Sequence, residues 1–265
     1  MTLSVHLDPA VDAPHVHGTL ASLPQLFRLG LGPADVIALG GPDWPRQLEP
    51  ALDARPRAVL LTDVRPTSPD VVHRLAARAD SLAVPVVIDT PWAVDPATTA
   101  EAARIKATAH NSATIEVFTA TGTAPASSLL AQLALLRTTI GEITGVRLSR
   151  LDTHAHAATA RAGSVPVLLS GVRSALGTTE TRLVLRGAGE QWRLRYGDPR
   201  IARPATVLYI DEHGERLLPT VYESAHRAAW RHTHIAAMSG ATPPPYTLHD
   251  LAADLALVPT EALRA

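Results

Sequence analysis

Cysteine is absent from the chain, which excludes disulfides, thiolate metal sites and a cysteine nucleophile together and suits a reducing cytosol. Lysine is nearly absent: Lys106 stands alone, so any reaction that needs a catalytic lysine has one candidate. Aromatic residues make up only 4%, and Trp44, Trp92, Trp192 and Trp230 are scattered, with no stacking platform for a single-stranded nucleic acid. An excess of one charge is also missing. The net charge of −1 points to neither a phosphate backbone nor an anionic membrane surface as partner. No apolar run approaches the roughly 20 residues of a membrane span, and the opening MTLSVHLDPA has no basic n-region, so no signal peptide is expected. The expected location is cytoplasmic.

What is present describes an ordinary globular chain, 46% apolar and 18% charged, with an Ala, Arg and Pro bias that suits a high-GC bacterial coding sequence. At 265 residues, two domains are expected. The first part alternates strand and helix patterns. Leu3–Leu7, Asp35–Leu39, Ala58–Thr62, Pro85–Asp89 and Thr114–Phe118 read as strands, with Ala58–Thr62 apolar throughout, as where both faces are covered. Helices are expected at Val16–Leu29 and Pro45–Leu52, after the Ser68-Pro69-Asp70 cap, and from Asp95-Pro96 to Thr108. Alternation of this kind argues for a parallel, doubly wound sheet.

After Gly122 the pattern changes. A helix over Pro125–Thr139 precedes strand-like segments at Val146–Leu151, Arg182–Arg186, Gln191–Tyr196 and Thr206–Ile210. Gly187-Ala188-Gly189 and Asp211-Glu212-His213-Gly214 supply turns for an antiparallel arrangement, and helices near Tyr222–Met238 and Leu248–Leu257 close the chain. The fold expected is α/β: a Rossmann-like parallel-sheet domain over 1–122, then an α/β domain with an open, mainly antiparallel sheet over 123–265, its last helices free to return to the first domain.

Several stretches fit one family when taken in order. Leu129–Val146 (LLAQLALLRTTIGEITGV) is similar to a helix followed by an "iGei..v" signature, and Pro85–Val94 (PVVIDTPWAV) to a strand carrying an "E-K-P" motif. Gly163–Gly177 stands where "G-G-x-x-x-D-x-G-x-H" is expected; Ser239–Pro243 with Tyr246–Asp250 is similar to a closing "G.pp..s..da" segment. On these the chain resembles the glucose–fructose oxidoreductase and inositol dehydrogenase family (Gfo/Idh/MocA) over nearly its whole length. The resemblance implies a Rossmann half, a second half whose open sheet often forms a dimer interface, and NAD(P)-dependent redox chemistry on sugar-like substrates.

The chain departs from that pattern where the chemistry sits. A dinucleotide turn needs glycines so that backbone N–H groups can approach the pyrophosphate. Here the turn reads Asp8-Pro9-Ala10-Val11-Asp12-Ala13, with Asp8, Ala10 and Ala13 at the glycine positions. The second predicted strand ends on Gly40-Gly41-Pro42, with no acid for a ribose and no base for a 2′-phosphate. The motif lysine is replaced in Asp89-Thr90-Pro91, and with Gly171 aligned to the motif glycine the family's histidine and aspartate map to Arg173 and Leu169. Arginine stays protonated near neutral pH and cannot shuttle a proton. Lys106, on a helix past the motif, reads as a surface charge.

Asp89 falls at the carboxyl end of a predicted strand, where open α/β sheets bind ligands, and is equally placed to cap the strand–loop junction. Asp152, His154 and Arg173 are candidates to line the same cleft from the second domain. His154 and His156 would present both rings on one face of a strand, although no acid or cysteine at ligand spacing joins them, so no metal is expected. His232 and His234, on a helix, point apart, and His15 and His17 lie in the first βα turn.

Three functions follow. The first is a pseudoenzyme: a non-redox auxiliary or regulatory subunit without a cofactor, forming a homo-oligomer, or a hetero-oligomer with an active family member, through the C-terminal sheet. The second is a cofactor-independent enzyme using Asp89, His154 and Arg173 on a small polar metabolite. The third is a divergent NAD(P)-dependent oxidoreductase. The first is preferred, with no nucleic acid and no membrane as partner.

Overall fold

The computed structural model describes residues 1–11, 13–30, 33–119, 124–175, 179–199, 201–239 and 244–258. Asp12, Gly122, Gly177 and the 240–243 stretch of the tail motif lie outside the described residues. Two compact units are present, one made of Met1–Thr90 with His226–Ala253, the other of Pro91–Ala225 with Asp254–Ala265. The first passage between them thus comes at Thr90, ahead of the break read near Gly122.

The first unit alternates β1 (Leu3–Leu7), α1 (Ala13–Ala21), β2 (Phe27–Leu29), β3 (Val36–Gly41), α2 (Trp44–Asp53), β4 (Ala58–Val64), α3 (Pro69–Leu82) and β5 (Val86–Ile88). Its strands form one parallel sheet in the order β2-β1-β3-β4-β5. The wholly apolar start of β4, Ala58 to Leu61, is inaccessible to water, as a central strand covered on both faces must be. From β1 the chain steps outward to β2 and then returns to the opposite side at β3, which makes the gap between β1 and β3 the topological switch point. The expected helix over Val16–Leu29 is shorter than read. Pro24 has no N–H to extend a ladder, the chain turns through Leu23–Leu26, and Phe27–Leu29 becomes the edge strand β2.

The second unit holds α4 (Pro96–Ala107), β6 (Ser112–Thr119), α5 (Pro125–Thr139), β7 (Ile143–Leu151), β8 (Ala155–Ala162), β9 (Val165–Arg173), β10 (Glu180–Arg186), β11 (Gln191–Tyr196), β12 (Thr206–Asp211) and β13 (Gly214–Leu217). These strands form one sheet, β13-β12-β11-β10-β6-β9-β8-β7, antiparallel except for the β6–β9 pair. The strand read at Thr114–Phe118 as the fifth of the first sheet is therefore central to the second. Its burial alternates, with Glu116 and Phe118 outward and Ile115 and Val117 inward, the period of a sheet covered on one face. β8 and β9 were not anticipated: an Ala-rich run and a strand with Pro166 at its second position carry weak local signals, and cross-strand pairing makes them. Helix α5 lies on β6, β7, β8 and β9 and covers the inner face with Leu129, Leu133 and Leu136. The closing helices are α6 (Ala225–Ser239) and α7 (Leu248–Leu257). Among the described residues, no helix is long and apolar enough to cross a membrane.

Gly171 has a specific packing reason. It faces His156 across the β8–β9 ladder, and a Cβ added there would lie 2.1 Å from His156 Cε1. The ring is buried and its Nε2 bonds Gln132 Oε1 at 2.9 Å, while Gln132 Nε2 donates to Ser170 O at 2.7 Å. Gly171→Ala should therefore cost about 1–3 kcal/mol in chemical denaturation, and the added presence of His156→Ala should recover part of that loss.

Burial holds His156 down at about 4, against 6.5 for the free side chain. As pH falls, the unfolded chain takes up this proton first, so the stability His156 confers is complete above 6.5 and is lost towards 4. The loss is on the order of 3 kcal/mol. Asp95, pushed up to about 6 by burial, opposes it, because there the folded state takes the proton first. His156→Gln should accordingly flatten the acid limb of the pH–stability curve, and an unchanged limb would refute the assignment.

Candidate functional site

The switch point is occupied by the chain's own atoms. After β1, Asp8 Oδ1 accepts from Ala10 N at 2.8 Å and from Gln47 Nε2 of α2 at 3.1 Å, while Val11 N donates to Asp8 O at 3.0 Å. Pro9 has no N–H to offer. Among the described residues of the turn, the Ala10 and Val11 amides are thus spent within it, the first on a carboxylate. Opposite, Gly41 at the end of β3 has φ 77°, and a Cβ built on it would be 3.5 Å from the Ala10 methyl. The alanine fills the space through which backbone would approach a pyrophosphate. Further along the carboxyl edge, Asp63 bulges from β4 with φ 44° and pairs with Arg65 at 3.0 Å. Carboxylates thus follow β1, interrupt the end of β4 and follow β5.

Asp89 follows β5 directly and keeps strand register through Asp89 N to Leu61 O at 2.8 Å. Its Oδ2 is bonded to His226 Nδ1 at the start of α6. Trp230 Nε1 lies 3.3 Å from His226 Nε2. An indole N–H can only donate, so Nε2 accepts and Nδ1 carries the proton given to Asp89. The His15 ring stacks on His226 with centroids 4.2 Å apart, and Phe27 of β2 meets Trp230 edge-on at 5.2 Å. His226 is 5% exposed and Trp230 fully buried. Thr90, in place of the motif lysine, is 6% exposed and its hydroxyl has no partner among the described residues.

The other candidates belong to the second unit. Arg173 ends β9, and its N–H donates to His154 O at 2.7 Å, so these two and Asp152 share one end of the sheet. Asp152 is a turn-former: its oxygens accept from Arg150 Nε at 2.6 Å, His154 N at 2.8 Å and Ala155 N at 3.0 Å. The Arg150 bond and then the His154 amide hold its carboxyl down at about 2. His154 lies exposed in that turn while His156 is buried in β8, so the pair does not share a face. Leu169 is buried, and Lys106 is exposed in the last turn of α4, where a cation favours the helix dipole. Among the described residues, no cluster of three or more His, Asp or Glu could hold a metal. His226 and Trp230 escaped the sequence reading. The i, i+4 spacing of a histidine and a tryptophan was the signal available, but nothing local ties it to Asp89, 137 residues away.

The chain has the Gfo/Idh/MocA fold, the fold of NAD(P)-dependent oxidoreductases. It is similar throughout to UDP-N-acetylglucosamine 3-dehydrogenase of Acidithiobacillus ferrooxidans, 13% identical with a TM-score of 0.76, covering 100% of this chain and 97% of that one. A 3-ketoreductase of Actinomadura kijaniata, solved with NADP, has a TM-score of 0.71 at 13% identity, covering 97% and 96%. A dehydrogenase of Clostridium difficile gives 0.66 at 10% identity, covering 95% of each chain. No family model and no curated protein matches the sequence. At these identities the likeness establishes the fold alone.

Trp230→Phe should release His226 Nε2 from its donor at a cost of about 1 kcal/mol. Long-range proton–nitrogen correlation spectra should show the Nδ1–H tautomer in the wild type and a mixture in the variant; a wild type already mixed would overturn the tautomer given above.

Proposed function

We propose that this chain is a non-redox auxiliary or regulatory subunit built on the oxidoreductase fold, and that it pairs through the open sheet of its second unit with itself or with an active homologue. The observation that carries this reading is the Asp8 turn. Its carboxylate takes the Ala10 amide that a pyrophosphate would need, and a second anion at that point meets like charge. The reaction centre agrees. Thr90 cannot do the work of a lysine ammonium, and His226 spends both ring nitrogens on Asp89 and Trp230, so neither relays a proton to a substrate. NADP bound to the Actinomadura enzyme is the counter-indication, and it makes the nucleotide the first ligand to test.

NADH and NADPH should leave the melting temperature of the wild type unchanged at millimolar concentration. A ligand at 100 times its dissociation constant adds about 2.7 kcal/mol, a shift too large to miss. Asp8→Gly with Ala10→Gly frees the amide and removes the methyl, and this double variant should bind NADPH more tightly than the wild type. A clear shift with the wild type would restore the dehydrogenase reading.

A second reading has one observation in its favour. Asp89 uses only Oδ2 among the described residues and Thr90 keeps an unspent hydroxyl, a pair suited to hold a small polar metabolite for cofactor-independent chemistry. If that reading holds, Asp89→Asn abolishes turnover of whatever metabolite is found, and unaffected turnover removes Asp89 from the site.

A further inference from the structure

Gln132 and His156 fix each other's polarity inside the second unit. Gln132 Nε2 donates to Ser170 O at 2.7 Å, so its Oε1 is the atom that meets His156 Nε2 at 2.9 Å. An amide oxygen only accepts, and the ring proton of His156 therefore sits on Nε2. Nδ1 is left as a bare lone pair. Burial holds the ring down at about 4, so at neutral pH this nitrogen accepts and cannot donate.

His156 Nδ1 is sealed from solvent and has no partner among the described residues, and the same is true of Ser128 Oγ. Ser128 stands one helical turn before Gln132 on α5, so the two side chains project from the same side of the helix, 3% and 0% exposed. Helix α5 packs on β6, β8 and β9. On the inner face of those strands, register sets Val117, Gly171 and His156 in one row, and the glycine leaves the middle of the row without a side chain. His156 Nδ1 overhangs that gap: a Cβ built on Gly171 would lie 2.7 Å from it.

We propose that one internal water molecule is bound here, between α5 and the β8–β9 ladder, donating a hydrogen bond to His156 Nδ1 and sharing a second with Ser128 Oγ. This site goes beyond the functional reading above and does not depend on it. Native interiors seldom leave a buried lone pair and a buried hydroxyl unmatched, and ordered water is the usual third party. The chemistry of the place selects its occupant. A donor must reach Nδ1, which excludes halide and carboxylate anions. A cation is excluded as well, because no carboxylate is bonded into the network of Gln132, His156 and Ser170 to balance it. Water is small, neutral and both donor and acceptor, and with it in place both nitrogens of the ring are hydrogen-bonded.

Magnetic relaxation dispersion of the full chain counts long-lived internal waters, and Ser128→Ala should hold one fewer than the wild type. A wild-type crystal at high resolution should show an oxygen about 3 Å from both His156 Nδ1 and Ser128 Oγ. Proton–nitrogen correlation spectra should report His156 as the Nε2–H tautomer with Nδ1 hydrogen-bonded. An unchanged water count in Ser128→Ala, a Ser128 hydroxyl bonded directly to Nδ1, or a ring protonated on Nδ1 would each overturn the proposal. Should Ser128→Ala fail to fold by circular dichroism, the wild-type crystal and spectra decide alone: an oxygen at that position supports the site and a dry contact removes it. None of these outcomes bears on the NADPH titration.

Discussion

A backbone N–H can satisfy one anion at a time, and in the β1–α1 turn that anion is the side chain of Asp8. Much of the functional reading depends on this. The parallel sheet, its order and its switch point are those of a dinucleotide-binding protein, and the carboxyl ends of β1 and β3 converge where a pyrophosphate belongs. Among the described residues of the turn, the Ala10 and Val11 amides are already bonded, Pro9 contributes none, and the Ala10 methyl sits against the glycine of the neighbouring strand. The fold keeps the place, and the Asp8 carboxylate and the Ala10 methyl stand in it.

A second side-chain arrangement stands at the end of β5. Asp89 stands where a catalytic strand end would be, and it is committed to His226, whose other nitrogen is committed to a buried tryptophan. Hydrogen bonds of this kind cost little when every donor has an acceptor, and they fix one tautomer and one ring orientation. Such a pair ties α6 to the end of β5 across 137 residues of sequence. In the second unit, Gly171 and His156 are packed in a comparable way: the missing Cβ leaves room for the imidazole to lie against the glycine while it bonds Gln132.

The near-neutral total charge conceals an uneven distribution, because composition sums over faces that the fold separates: Arg182, Arg186, Arg193 and Arg195 share the outer face of the eight-stranded sheet with Arg147, Arg150 and Arg161.

Much of the fold was written locally. The apolar run Ala58–Leu61 named a covered parallel strand, Asp95-Pro96 named the cap of α4, and the alternating runs Gln191–Tyr196 and Thr206–Ile210 named antiparallel strands. These signals are period, capping and turn chemistry, all set within a few residues. The family motifs likewise announced the fold, and the Asp8-Pro9-Ala10 turn announced that its glycines are missing. Tertiary structure decided the rest, because it depends on partners far apart in the chain. Only the fold assigned β6 to the second sheet, made strands of the weakly patterned β8 and β9, and gave Asp89 its histidine. Side-chain hydrogen bonds and the sorting of charge between two faces of a sheet are properties of proximity in space, which a sequence fixes only by folding.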